Sequence, residues 1–218
     1  MSAGLVLLAG PALILVGSIL DPGAGKGDDN TARLTALKDD PGAAQLSTAL
    51  YMLGFALMVV GIVGLVHVIR RRGVVLANVG GAFAILGMVM LAALSSATVY
   101  ALDSAEHLEI ETAVRLTEDL DEYWVAGFFV GVALLGTLIG FVLLAVAIIR
   151  SRVAHVAAAV LIIAGVVAIP FGGESKAVGI VANVLLLGGW GLVGLKLLGM
   201  KDEEWDAHAP PAAPPANV

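Results

Sequence analysis

Six apolar runs, separated by short charged connections, constrain the fold of this chain more than any other feature of its sequence. The hydrocarbon core of a bilayer is about 30 Å thick, so a helix rising 1.5 Å per residue needs about 20 residues to cross it. No Asp or Glu lies inside any run. The sequence therefore predicts an all-α, polytopic transmembrane helical bundle with six spans, at about residues 3–20, 45–69, 74–102, 123–149, 153–171 and 177–198.

The composition agrees with a membrane location. Hydrophobic residues make up 59% of the chain and charged residues 14%, whereas soluble domains have roughly 45 to 50% and 25%. Nearly all charges fall in the connections, so the net charge of −6 says nothing about an acidic partner. The absence of Cys excludes disulfides, thiolate metal sites and cysteine nucleophiles. We predict no cofactor and no nucleic-acid partner.

The remaining segments are the chain ends and two longer connections. The first run is expected to be retained as a span rather than cleaved as a signal peptide, because no Lys or Arg precedes it and no small-residue cleavage pattern follows it. Residues 21–44 and 103–122 form polar connections. The tail at 201–218 is charged and then rich in Pro and Ala, which predicts disorder.

Arginines in two short turns predict the orientation. Because each run crosses the membrane, alternate connections lie on the same side. One side therefore carries Arg70, Arg71, Arg72, Arg150 and Arg152. The opposite side receives fourteen of the eighteen acids, spread through longer connections. Because Lys and Arg in short loops stay on the cytoplasmic side, we expect a multi-pass protein of the bacterial cytoplasmic membrane with both termini cytoplasmic and the two long connections outside.

A polar phrase occurs in both long connections: TARLT begins at Thr31 and TAVRLT at Thr112. Arg33 and Arg115 within these phrases are 82 positions apart, and the Ile-Arg pairs that close the following runs are 80 apart. This spacing predicts a parallel duplication of a helical hairpin that carries an external amphipathic helix, with the third hairpin a degenerate copy. Chance matches within a limited alphabet are the alternative.

The second long connection has the pattern of an amphipathic helix. Apolar or small residues recur there at helical spacing, namely Ile110, Ala113, Val114, Thr117 and Leu120. Such a helix would lie on the outer surface with its acids facing water. Leu34 and Leu37 indicate a similar helix in the first connection.

His107 and Glu111 are weak candidate metal ligands in the same connection. They are four residues apart, so they would share one helix face and reach a divalent cation. The segment lacks the alternating oxygen ligands and the loop glycine of a dedicated calcium site. An amphipathic helix explains the same residues without a metal and is the preferred interpretation.

His67 and His155 are weak candidate cofactor ligands. Each lies three residues from an Arg at the cytoplasmic end of a run, so both are predicted at similar depth. Two imidazoles between helices can ligate haem iron or another metal. Because haem needs burial between helices, the preferred interpretation places both rings in the headgroup region.

Five glycines mark predicted helix-packing faces. Gly127 with Gly131 and Gly136 with Gly140 form two GxxxG pairs in the fourth run, and Gly191 lies in the sixth. Small residues let membrane helices approach closely. Packing within the chain is preferred, and packing against a second copy is the alternative.

No buried charged or catalytic constellation is present in the six runs, so the leading hypothesis is a non-enzymatic scaffold or accessory subunit. Its expected partners are the lipid bilayer and either other membrane proteins or further copies of itself. One alternative is a transporter or channel for a neutral or lipophilic solute, with its pathway lined by Asn78, Thr137 and Asn183. Another is a membrane enzyme or haem protein that uses His67 and His155.

The layout also carries a resemblance. Six spans with tight Arg-rich inner turns and two longer outer connections, in an alphabet of Ala, Val, Gly and Leu, resemble the small uncharacterised integral membrane proteins common in actinobacteria. The resemblance covers the whole chain and rests on layout and composition. It implies the six-span architecture and assigns no activity and no functional residue.

Overall fold

A computed structural model describes residues 2–70 and 72–200, and all regular structure in these residues is helical. The predicted all-α class is therefore confirmed, whereas the tail predicted to be disordered, 201–218, lies outside the described residues. A 3-10 turn at Ile169–Gly172 follows α7. The helices are α1 Ser2–Leu20, α2 Asn30–Asp39, α3 Pro41–Val68, α4 Val74–His107, α5 Ile110–Asp121, α6 Trp124–Ser151, α7 Val156–Ala168 and α8 Lys176–Leu198.

Five of these helices, α1, α3, α4, α6 and α8, are long and apolar enough to cross a membrane. This is typical of an integral membrane protein. The fifth predicted run differs, because its α-helix has only 13 residues and is followed by the four-residue 3-10 turn that contains Pro170. Together they form the shorter apolar segment Val156–Gly172. The sixth span therefore stays a prediction.

Aspartates set where two helices begin. The side chain of Asp29 accepts a hydrogen bond from Ala32 N–H at the start of α2, and Asp40 accepts one from Ala43 N–H at the start of α3. Pro41 follows at the first helical position, where its missing N–H costs nothing. As a result, α3 begins four residues before the predicted start of the second run.

The long helices and α7 form a closed ring. Around it α1 contacts α3, α3 contacts α4, α4 contacts α6, α6 contacts α7, α7 contacts α8 and α8 contacts α1. The α3–α4 and α6–α7 turns meet at one end, where Gly73 lies beside Arg150. We call this the arginine end. The opposite end carries α2 and α5, and we call it the cap end.

The repeated phrases lie in α2 and α5, and these two helices contact each other at the cap end. Each connects two long helices that pack together, α1 with α3 and α4 with α6. The apolar faces of the two cap helices thus contact protein rather than only a membrane surface. Their shared buried cluster contains Leu34, Leu37, Ala44, Leu102, Ala105 and Ala113.

The two GxxxG pairs of α6 have different surroundings. A Cβ added to Gly136 would lie 3.1 Å from the Phe83 carbonyl oxygen, and one added to Gly140 would overlap the backbone of Ala84. This pair therefore lies at the close α4–α6 crossing. A Cβ on Gly127 or Gly131 would meet nothing within 4 Å, so that pair lies at no close helix crossing among the described residues.

Gly191 lies at a third contact. A Cβ there would be 3.3 Å from Leu8 Cδ2, which places Gly191 on the face of α8 that packs against α1. The α1–α3 crossing has its own glycine pair, since a Cβ on Gly54 would lie 2.9 Å from the Gly10 carbonyl oxygen. Small residues thus let neighbouring helices of the ring approach closely.

Candidate functional site

The ring encloses a central cavity at mid-height, and α1, α3, α4, α6, α8 and the 3-10 turn contribute to its wall. The centre of a water-sized sphere can occupy about 40 Å³ of it, against the 10 to 15 Å³ or so that one water needs. Its wall is mainly aliphatic and aromatic. The lining residues are Pro11 and Ile14 from α1, Phe55 and Met58 from α3, Met88 and Leu91 from α4, Thr137 and Phe141 from α6, Ile169 from the 3-10 turn, and Asn183, Leu186 and Trp190 from α8.

Packed side chains close the cavity towards the arginine end. The ring interior there is filled by large residues that are essentially inaccessible to solvent and come from five helices. Because these side chains have almost no surface that a water-sized sphere can touch, no water-sized passage from the cavity runs beside them. They include Leu7, Ile62, Leu65, Leu144, Ile148, Ile162 and Leu197.

Towards the cap end the cavity continues into a wider space, which we call the vestibule. Both spaces share Ile14, Phe55 and Asn183, and the vestibule adds Tyr51 and Lys176 nearer the cap end. Here the centre of a water-sized sphere can occupy about 210 Å³. The cavity is thus accessible from the cap end and closed at the other.

A side opening on the outer surface of the ring lies directly against the cavity. It lies between α4, α6 and the 3-10 turn, and it shares Leu91, Thr137 and Ile169 with the cavity. Leu134 and Leu135 form its outer rim and are exposed on the surface. A molecule dissolved in lipid would meet this opening directly.

The chemistry of the central cavity is uncharged. None of its lining residues is an Asp, Glu, Lys, Arg or His. The Thr137 hydroxyl donates to the Ala133 carbonyl oxygen over 2.7 Å, so its donor is already used within α6. Pockets lined mainly by apolar groups with a few polar ones suit small, largely apolar ligands.

Two loops are tied together over the vestibule. Lys176 Nζ donates to the Asp21 carbonyl oxygen over 2.8 Å, and Gly27 N–H donates to the Gly173 carbonyl oxygen over 2.9 Å. Gly25 has a φ of +78° and passes so close to Lys176 that a side chain would clash there. The loop after α1 is thereby held against the loop before α8.

Replacing Lys176 by Met is expected to loosen this loop contact while leaving the ring folded. The substitution keeps the apolar stem and removes a charged donor, whose hydrogen bond contributes about 1 to 3 kcal/mol. We expect amide exchange at Gly27 to accelerate about fivefold or more, measured by hydrogen–deuterium exchange. Lys38→Met, at an exposed position in α2, is the control. Equal exchange in the two variants would show that Lys176 does not hold the loop.

Of the three residues predicted to line one pathway, the structure brings two together. Thr137 and Asn183 both border the central cavity. Asn78 does not join them, because it is exposed in the second turn of α4 near the arginine end, while the neighbouring Ala77 faces the buried core. A single pathway lined by all three is therefore not present.

The two histidines proposed as cofactor ligands are exposed near the arginine end and do not line the cavity. The ring of His67 contacts the guanidinium of Arg70, with 2.8 Å between His67 Nδ1 and Arg70 NH2. His155 Nδ1 accepts from Ala157 N–H over 3.1 Å and so caps α7. Both rings thus have local partners at helix ends.

His107 and Glu111 do not share a helix face, which corrects the sequence-based expectation. The chain is extended at Leu108, so His107 ends α4 and Glu111 lies in the first turn of α5. Glu111 accepts a hydrogen bond from Arg115 over 2.7 Å. Within residues 2–70 and 72–200, no group of three or more His, Cys, Asp or Glu residues is arranged to hold a metal.

Sequence reasoning missed Trp190, which is 0% exposed and lines the central cavity. Its ring packs edge-to-face on Phe141, with 4.9 Å between the ring centroids. A signal was available, because Asn183, Leu186 and Trp190 follow the i, i+3, i+7 spacing of one helix face. That spacing places the polar Asn183 on the same face as the indole ring.

Comparison with known proteins assigns no family. No protein-family model, no curated protein and no solved structure matches this chain. Its function is therefore inferred from its own geometry.

Proposed function

We propose that this chain is an integral membrane protein that binds a small, uncharged and mainly apolar solute in its central cavity. The observation that carries the proposal is the cavity itself, which five helices of the ring and the 3-10 turn line without a single ionisable group. From water, burying about 150 Å² of apolar solute surface contributes roughly 4 kcal/mol. That corresponds to a dissociation constant of about 1 mM before ordering costs.

The proposal includes six membrane crossings. The 13 α-helical residues of α7 rise about 20 Å and the four residues of the 3-10 turn add about 8 Å. Their sum is close to the roughly 30 Å of the hydrocarbon core. With the arginine end cytoplasmic, as the positive charges favour, the vestibule opens outside a bacterial cytoplasmic membrane.

Closure at the arginine end supports a carrier rather than an open channel. The filled half of the ring blocks continuous passage, while the vestibule and the side opening give access from the outer side and from lipid. The scaffold hypothesis is supported by the face of α6 at Gly127 and Gly131, which no neighbouring helix approaches closely and which a partner protein could contact. Lipid covers such a face equally well, so the enclosed cavity is the more specific observation.

Quenching of Trp190 fluorescence tests the proposal. Of the three tryptophans, Trp124 and Trp205 are replaced by Phe, so that only Trp190 emits when the protein is excited at a wavelength that tyrosine does not absorb. Bromocyclohexane, a neutral heavy-atom quencher, is titrated into the protein in lipid nanodiscs. We expect saturable quenching that methylcyclohexane reverses by competition, because both molecules fit the apolar cavity.

The control retains Trp124 and carries Trp190→Phe and Trp205→Phe. Trp124 is exposed on α6, so its quenching is expected to rise linearly with the bromocyclohexane dissolved in the lipid. Linear quenching of Trp190 without competition would mean that the cavity binds no such solute, and the proposal would then be wrong.

A further inference from the structure

The indole ring of Trp190 borders the central cavity, and its unpaired N–H is not explained by apolar binding alone. Nε1 is buried and has no hydrogen-bond partner among the described residues. The indole N–H is only a donor, and leaving a buried donor unpaired is destabilising, so more than nine in ten buried polar groups in proteins are paired. Nε1 is inaccessible to a water-sized sphere, so a bound molecule that brings an acceptor would supply the missing partner by displacing the neighbouring side chains of the wall.

A second polar group lies on the same face of α8. Asn183 precedes Trp190 by seven residues, which is two helical turns. It is half-buried and borders both the cavity and the vestibule, and its side chain makes no hydrogen bond within the described chain. Its side-chain amide offers two donors and one acceptor. The apolar cavity thus has two side chains with unused donors, both on α8.

We propose that the solute carries an uncharged oxygen that accepts a hydrogen bond, as in a ketone, ester or ether, and that Trp190 Nε1–H binds this oxygen. The inference rests on the solute binding proposed above and names the chemical class of the solute. A carboxylate is excluded, because no cationic residue lines the cavity to balance a buried negative charge.

Membrane surroundings make this polar contact decisive for selectivity. A solute that arrives from lipid gains less by moving its apolar surface into an apolar cavity than a solute that arrives from water, since lipid tails are equally apolar. A site built around an unpaired donor does discriminate, because an analogue without the acceptor leaves that donor unsatisfied. The edge-to-face contact with Phe141, at 71° between the ring planes, fixes the indole ring before the solute binds.

The test compares two probes of nearly the same shape, cyclohexanone and methylenecyclohexane, of which only the first has an acceptor oxygen. The protein carries Trp124→Phe and Trp205→Phe and is labelled with ¹⁵N in the remaining indole. We expect cyclohexanone to move the Trp190 Hε1 resonance downfield in a saturable way, and methylenecyclohexane to cause no such shift. Displacement of bromocyclohexane reports affinity, and we expect cyclohexanone to bind about fivefold more tightly.

A second variant separates the donor from the shape of the ring. Incorporating 3-benzothienylalanine at position 190 keeps a bicyclic aromatic ring and removes the N–H. Because this variant has no indole left, displacement of bromocyclohexane is read by ¹H NMR of the probes. We expect the fivefold advantage in affinity of cyclohexanone to disappear, with the affinity for methylenecyclohexane unchanged. Because the methylenecyclohexane titration requires an intact cavity, it also shows that the variant is folded.

The outcomes distinguish this inference from the proposed function. If both probes displace bromocyclohexane with equal affinity and neither shifts the indole resonance downfield, the cavity binds solutes but the acceptor is not recognised, and the inference is overturned. The inference is also overturned if the 3-benzothienylalanine variant still binds cyclohexanone more tightly than methylenecyclohexane. If neither probe displaces bromocyclohexane, the solute binding proposed above is wrong, and the inference is wrong with it.

Discussion

Gly140→Leu is expected to prevent the helical ring from forming, whereas Gly127→Leu should leave it intact. At position 140 even a Cβ would overlap the backbone of Ala84, and the backbone of α4 cannot rotate aside as a side chain can. Forcing extra atoms into a packed core destabilises the folded state by about 1 to 3 kcal/mol where side chains can adjust. Here the backbone is in the way, so we expect the free energy of unfolding to fall by more than about 3 kcal/mol. At position 127 a Cβ meets nothing within 4 Å.

Size-exclusion chromatography in mild detergent and thermal unfolding followed by circular dichroism provide the measurement. The two variants add the same side chain to the same helix, so insertion and hydrophobicity are matched. If Gly140→Leu gave a monodisperse protein with the melting temperature of the Gly127→Leu variant, the close α4–α6 crossing would be incorrect.

Leu91→Trp is expected to weaken solute binding by at least about tenfold while the bundle stays folded. Leu91 borders the central cavity, the vestibule and the side opening. A bulkier ring there would occupy space that the solute needs, and because Leu91 is only half-buried the ring can be accommodated. Competition between bromocyclohexane and methylcyclohexane, read by ¹H NMR of the probes, measures the affinity without tryptophan fluorescence.

Val89→Trp is the matched control for this second prediction. Val89 lies two residues away on α4 and is 46% exposed, on a face that lipid would cover. The same new side chain at this position should leave the affinity unchanged. Equal weakening in both variants would point to a general effect on α4, and unchanged affinity in Leu91→Trp would place the binding site elsewhere.

Much of the helical content could be predicted from the sequence, because apolar runs and capping residues determine helices through contacts between residues that are close in the chain. The spacing of Ile110, Ala113 and Val114 predicted α5, and the bulk of each long helix follows from its run. Boundaries were missed where a local signal was overlooked, as at Asp40 and Pro41, which start α3 early. The duplication and the sixth span stay predictions.

The site could be predicted only in part, because its wall depends on which helices become neighbours. The two GxxxG pairs of α6 look alike in the sequence, yet only Gly136 and Gly140 face α4. Asn78 and Asn183 are chemically identical, but the packing of each helix exposes one and directs the other to the cavity. Residues far apart in the chain, such as Pro11 and Trp190, meet only through the ring.

The most direct test of solute binding in the central cavity is to soak crystals of the protein with bromocyclohexane and to locate the bromine atom by anomalous X-ray scattering. We expect one strong peak inside the ring, between Leu91, Thr137 and Asn183. Peaks found only on the outer, lipid-facing surface of the helices, with none inside the ring, would contradict the account.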